Sequence, residues 1–183
     1  MDILLELAHY GDYAAIEQKL RQKGFTNDIE SGVICRYKVR GITVDVMPTS
    51  DTILGFANRW YPEAFAGSQP FRLDEDYAIR IFSAPYFLAT KLEAYKDRGD
   101  NDGRMSTDFE DIIFLLNNRS AIWEEMDVAP DKLREYLKTE IRTLLESPYI
   151  QEWISAHLDY SEQSRLTFIL GGLAAFVDAS HQV

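Results

Sequence analysis

At 183 residues, with 46% hydrophobic and 27% charged side chains, the chain has the makeup of a globular protein long enough to bury a core of its own. A net charge of −11 opposes adventitious binding to nucleic acid or an anionic membrane. The one cysteine, Cys35, excludes an intrachain disulfide and a cysteine-based zinc site, and reads as a small buried hydrophobe.

Residues 2 to 7, Asp-Ile-Leu-Leu-Glu-Leu, are apolar but too short for a lone helix, which predicts a buried strand. The start lacks the basic flank and cleavage site of a signal peptide, and no apolar run approaches the roughly 20 residues that cross a bilayer, so a cytoplasmic location is expected. Gly11-Asp12 opens a helix to about Gly24, with Asp12 at its start and Lys19, Arg21 and Lys23 near its end, where the helix dipole favours cations. Residues 33 to 39 and 42 to 47 are β-forming runs separated by Arg40-Gly41, which predicts an antiparallel hairpin. On its second arm Ile42, Val44 and Val46 point one way and Thr43, Asp45 and Met47 the other. A carboxylate in such a run is suited to hold something cationic, or is simply a half-exposed acid on a solvent face.

Residues 51 to 65 predict a short helix and an aromatic-rich loop in which Trp60 and Tyr61 read as lids on a core. Residues 71 to 73 and 78 to 82 flank an acidic turn and form a second predicted hairpin. From Ser83 the texture is helical. Ser83-Ala84-Pro85 starts a helix with Phe87, Leu88, Leu92 and Tyr95 on its apolar face, ending near Gly99. Residues 100 to 105 read as a mobile polar loop, and Thr107-Asp108-Phe109-Glu110 as a capping box that opens the next helix. Further helices are predicted over about 122 to 126, 132 to 145, 148 to 157 and 162 to 176. The expected class is therefore α/β (α+β): a small mixed sheet in residues 1 to 82 and a helical region in residues 83 to 183.

Lys91 and Arg98 are two helical turns apart and project on about the same side, and Asp108 and Asp111 share a face of the following helix. These four could converge on one pocket, or form ordinary interhelical salt bridges. Arg36, Lys38 and Arg40 alternate along one strand as a local basic strip, whereas His9, His157 and His181 form no metal-ligand spacing and read as incidental.

The run Ser-Ala-Pro-Tyr-Phe-Leu-Ala-Thr-Lys-Leu-Glu-Ala-Tyr-Lys-Asp-Arg-Gly at 83 to 99, followed by Ser-Thr-Asp-Phe-Glu-Asp-Ile-Ile at 106 to 113, resembles the third and fourth motifs of the AbiEii-type nucleotidyltransferase family of type IV toxin proteins. The strand bearing Asp45 resembles the second motif, and the strand with Asp2 the tail of the first. The likeness spans most of residues 2 to 119. It implies a small mixed sheet that presents carboxylates to divalent metals, and transfer of a nucleotidyl group from a nucleoside triphosphate to an acceptor. On that resemblance Asp2 and Asp45 would hold Mg²⁺ or Mn²⁺, Lys91 would meet the triphosphate, and Arg98 would be a second phosphate ligand. Asp108 or Asp111 would orient Lys91 or the acceptor.

The family's first motif carries a glycine turn and an Asp-x-Asp pair; here Asp2 would be the second acid, and the first would precede Met1. The enzyme reading is thus joined by another, a catalytically degenerate relative that uses the fold to bind a protein. As acceptor, tRNA or another RNA is compatible with the basic strip at Arg36, Lys38 and Arg40, an antitoxin would be the partner of a toxin, and the acids at positions 2 and 45 are expected side by side on neighbouring strands, facing the Lys91 amine.

Overall fold

The computed structural model describes residues 2–7, 10–100 and 102–179. His9 and His181 lie outside them. The chain forms two compact units, divided between Ser68 and Gln69.

The first unit contains strands β1 (Asp2–Leu5), β2 (Thr26–Asn27), β3 (Arg36–Val39) and β4 (Ile42–Pro48) and helices α1 (Tyr10–Gln22), α2 (Asp51–Leu54) and α3 (Tyr61–Ala66). The strands form one four-stranded sheet in the order β1-β4-β3-β2. β1 runs parallel to β4, whereas β3 is antiparallel to both β4 and β2. Between β3 and β4 the chain reverses in two residues, Arg40 (φ 50°) and Gly41 (φ 80°). Positive φ at both central positions is the geometry that matches the twist of a tight hairpin.

The alternation in β4 sorts its residues cleanly. Val44 and Val46 are buried and form the small core with Tyr37, against which Ile3, Leu5, Leu20, Phe25 and Val39 pack. Helix α1 lies on this face, where the Tyr13 hydroxyl donates to the Val46 carbonyl at 3.2 Å. Cys35 is buried, and burial pushes its thiol up, as suits a small hydrophobe rather than a nucleophile. Trp60 is buried at 1% exposure, within the core.

The second unit opens with a hairpin, β5 (Gln69–Arg72) and β6 (Ala78–Ile81), whose turn is closed by the Asp74 carboxylate accepting from the backbone of Asp76 and Tyr77. Then come α4 (Ala84–Arg98), α5 (Thr107–Asn118), α6 (Ile122–Asp127), α7 (Asp131–Leu145), α8 (Ile150–Ala156) and α9 (Arg165–Asp178). Their shared core includes Leu88, Leu92, Phe109, Ile113, Leu116, Leu137, Ile154 and Leu173, all buried. The α+β class expected from the strand and helix pattern is the observed one. Contacts group the β5–β6 hairpin with the helices, whereas sequence texture alone changes at Ser83. The cap of α5 is Ser106, not Thr107: its Oγ accepts from the Phe109 amide. No helix among the described residues is long and apolar enough to cross a membrane.

Helix α9 carries adjacent glycines in unlike surroundings. A Cβ on Gly171 would meet nothing within 4 Å, whereas one on Gly172 would fall 2.4 Å from the Trp123 ring. Gly171→Ala should therefore stabilise the protein by about 0.5–1 kcal/mol through helix propensity. Gly172→Ala should destabilise it by about 1–2 kcal/mol, because overpacking against the indole outweighs the same gain. Urea unfolding of the two variants checks this. Shifts of the same sign would contradict the α6–α9 packing.

Candidate functional site

The candidate side chains fall into two groups, one in each unit. In the first unit they form a row across three strands. Asp45, in the central strand, has Asp2 as its partner on β1 and Arg36 as its partner on β3. Directly paired residues share a face, so all three stand on the side of the sheet opposite Val44 and Val46.

Asp2 is exposed and Asp45 half-buried. Arg36 grips Asp45 with both prongs, Nε to Oδ1 at 2.7 Å and Nη2 to Oδ2 at 2.7 Å. This fork is the strongest pairing a guanidinium makes with a carboxylate, and the hydrogen bonds Arg36 donates to Asp45 keep it firmly charged. Lys38, two residues along β3, pairs with Asp28 at 2.9 Å. Of the basic strip read along this strand, Arg36 and Lys38 thus already serve carboxylates of the chain, and Arg40 is held in the turn.

In the second unit α4 and α5 bring four charged groups together. The Lys91 ammonium lies 2.6 Å from Asp111 Oδ2 and 3.4 Å from Asp108 Oδ1, and 5.5 Å from the centre of the Phe87 ring. Arg98 donates to Asp108 from Nε at 2.7 Å and from Nη2 at 2.9 Å. The Asp108 side chain is only 3% exposed. Burial alone would raise its pKa; the Arg98 hydrogen bonds, with the charges of Arg98 and Lys91, overcome that and hold it below the usual carboxylate range. Asp108 also sits in the first turn of α5, where the helix dipole favours a negative charge.

Residues 102 to 104 of the connection between these helices are held by several contacts. The Gly103 carbonyl bonds His157 Nε2 at 2.6 Å. Arg104 bridges Asp102 at 2.7 Å and Glu152 at 3.0 Å. Gly103 is pressed so closely on Trp153 that a Cβ would come within 2.8 Å of the indole. His157, which has no metal-ligand spacing in the sequence, is therefore a structural anchor for the segment joining Arg98 to Asp108.

The chemistry open to the first group is that of paired carboxylates on neighbouring strands. Hard oxygen donors of this kind suit Mg²⁺ or Mn²⁺, which take one or two protein carboxylates and complete their shell with water and substrate phosphates. Asp2 and Asp45 are donors of the right kind for such an ion, but they are only two, Arg36 competes for Asp45, and the described residues contain no group of three or more His, Cys, Asp or Glu side chains placed to hold a metal. The second group offers two cations, both engaged by carboxylates. Comparison of the chain with family models, curated proteins and solved structures yields no match.

Proposed function

We propose that the chain is a nucleotidyltransferase-like protein that transfers a nucleotidyl group from a nucleoside triphosphate to a nucleic-acid or protein acceptor. The observation that supports this reading is the register that makes Asp2 and Asp45 direct partners on parallel neighbouring strands. Mg²⁺ or Mn²⁺ would be held by these two carboxylates, and when bound would neutralise charge on the reacting phosphate and its leaving group. Asp2 is exposed and open to such an ion, whereas Asp45 must release Arg36. Lys91 is the residue suited to a triphosphate, and phosphate would compete there with Asp108 and Asp111 for the ammonium. Asp108, fixed by Arg98, would hold the Lys91 ammonium in position beside it. An RNA acceptor and an antitoxin partner belong to the same reading.

Incubation with each labelled nucleoside triphosphate, Mg²⁺ or Mn²⁺ and bulk RNA tests it. Label should enter RNA or protein, and Asp45→Ala and Lys91→Ala should each lower the rate by about a hundredfold or more. Transfer that survives Asp45→Ala would remove this site.

The second reading, a catalytically degenerate relative acting as a protein-binding module, is favoured by the two-pronged grip of Arg36 on Asp45, which satisfies that carboxylate within the chain. Absence of transfer from the wild-type chain with every triphosphate would support it.

A further inference from the structure

We infer that Arg36 is a built-in counter-ion occupying the position a divalent cation would take on Asp45, so that ion binding at the Asp2–Asp45 pair and the Arg36–Asp45 pair exclude one another. The inference rests on the reading of Asp2 and Asp45 as ion ligands.

Three features of the row carry it. Asp45 lies in the central strand with a like charge on one side and an opposite charge on the other, so its carboxylate has a choice of neighbours that Asp2 lacks. Arg36 takes both oxygens at 2.7 Å, leaving no oxygen of Asp45 out of the ion pair. The pair is half-buried, with side-chain exposures of 33% for Arg36 and 17% for Asp45, so water screens it only in part.

A divalent ion must therefore strip two charge-assisted hydrogen bonds and re-solvate a guanidinium before it gains Asp45. Removing Arg36 eliminates that competition and leaves two adjacent carboxylates without the counter-charge beside Asp45. Such a pair attracts a divalent cation more strongly than the neutralised one does. Arg36 is here a positioning residue: it acts on the ion through Asp45.

Titration of the full chain with Mn²⁺ alone, followed by the spin-resonance signal of the free ion, tests this. Arg36→Ala should tighten Mn²⁺ binding by about tenfold or more, and adding Asp45→Asn to that variant should abolish the gain. Arg36→Lys should gain less than Arg36→Ala, because a point charge keeps the ion pair but not the fork. Arg36→Gln, which keeps a polar side chain of similar reach, gives the same readout should the alanine variant fail to fold. Equal Mn²⁺ affinity in wild type and the neutral variants, or a gain that persists with Asp45→Asn, would overturn the assignment. No nucleotide or acceptor enters this measurement. A Mn²⁺ gain without any transfer by the wild-type chain upholds the role of Arg36 and removes the enzymatic reading; transfer without the gain does the reverse.

Discussion

Arg98→Ala should destabilise the second unit by about 2–3 kcal/mol at neutral pH. The penalty falls on Asp108, not on the arginine. Asp108 is 3% exposed, and two of its three cationic contacts come from Arg98 at 2.7 and 2.9 Å; the third, from Lys91, is longer at 3.4 Å and shared with Asp111. Breaking a fully buried ion pair from one side costs about 3–5 kcal/mol; the 69% exposure of the Arg98 side chain screens this pair and places the expected loss at or below the foot of that range.

The pH dependence has a definite sign. The folded-state pKa of Asp108 lies below its unfolded value, so its pairing stabilises the fold fully above about pH 4 and is lost as pH falls through the folded value. The stability gap between wild type and Arg98→Ala should accordingly be greatest near neutrality and narrow below about pH 4. Urea unfolding at pH 7 and at the lowest pH where both proteins fold measures it. A gap that stays constant with pH would mean that the arginine stabilises by packing and not by charge.

Trp153→Ala should cost more, about 3–5 kcal/mol. Trp153 is 7% exposed and packs with Tyr95, Phe109 and Tyr149 at ring separations of 6.3, 5.9 and 6.3 Å. It also backs Gly103 and borders an open pocket of about 210 Å³ whose walls include Leu92, Tyr95 and Leu144 together with the polar Lys96, Glu140 and Thr143. Loss of these ring contacts from a buried position places the cost within the range for aromatic truncation. Trp153→Phe should retain more than half of the stability lost in the alanine variant. Thermal unfolding of both decides it: a loss below about 1 kcal/mol for the alanine variant would show that the aromatic cluster contributes little.

Much of this arrangement is legible in the sequence where local rules suffice. The period of two in residues 42 to 47 places Asp45 on the face opposite Val44 and Val46, and the turn at 40 and 41 fixes the hairpin register. That register also pairs Arg36 with Asp45, which stand equally far from the turn on its two sides. The signal for this ion pair was thus present in the turn, although the alternating basic residues first suggest a strip for RNA. Helical spacing likewise brings Lys91 and Arg98 to one side. Other features depend on packing at long range. The His157 contact with Gly103 spans 54 positions, and nothing local announces it. Strand β2 has only two residues, too few for any period to show. The cap of α5 moves by one position because Ser106 and Thr107 are both good capping residues, and only the turn geometry chooses between them.

The division into two units also decides which spectroscopic signal reports on which chemistry. Far-ultraviolet ellipticity comes mostly from α4 to α9 and so weights the unit holding Lys91, with a smaller share from α1 to α3 in the unit of Asp2 and Asp45. The indoles divide usefully: Trp60 belongs to the unit of the two acids, with Arg59 5.2 Å above its ring, and Trp123 and Trp153 belong to the other. With Trp123→Phe and Trp153→Phe, the remaining indole would report on the first unit.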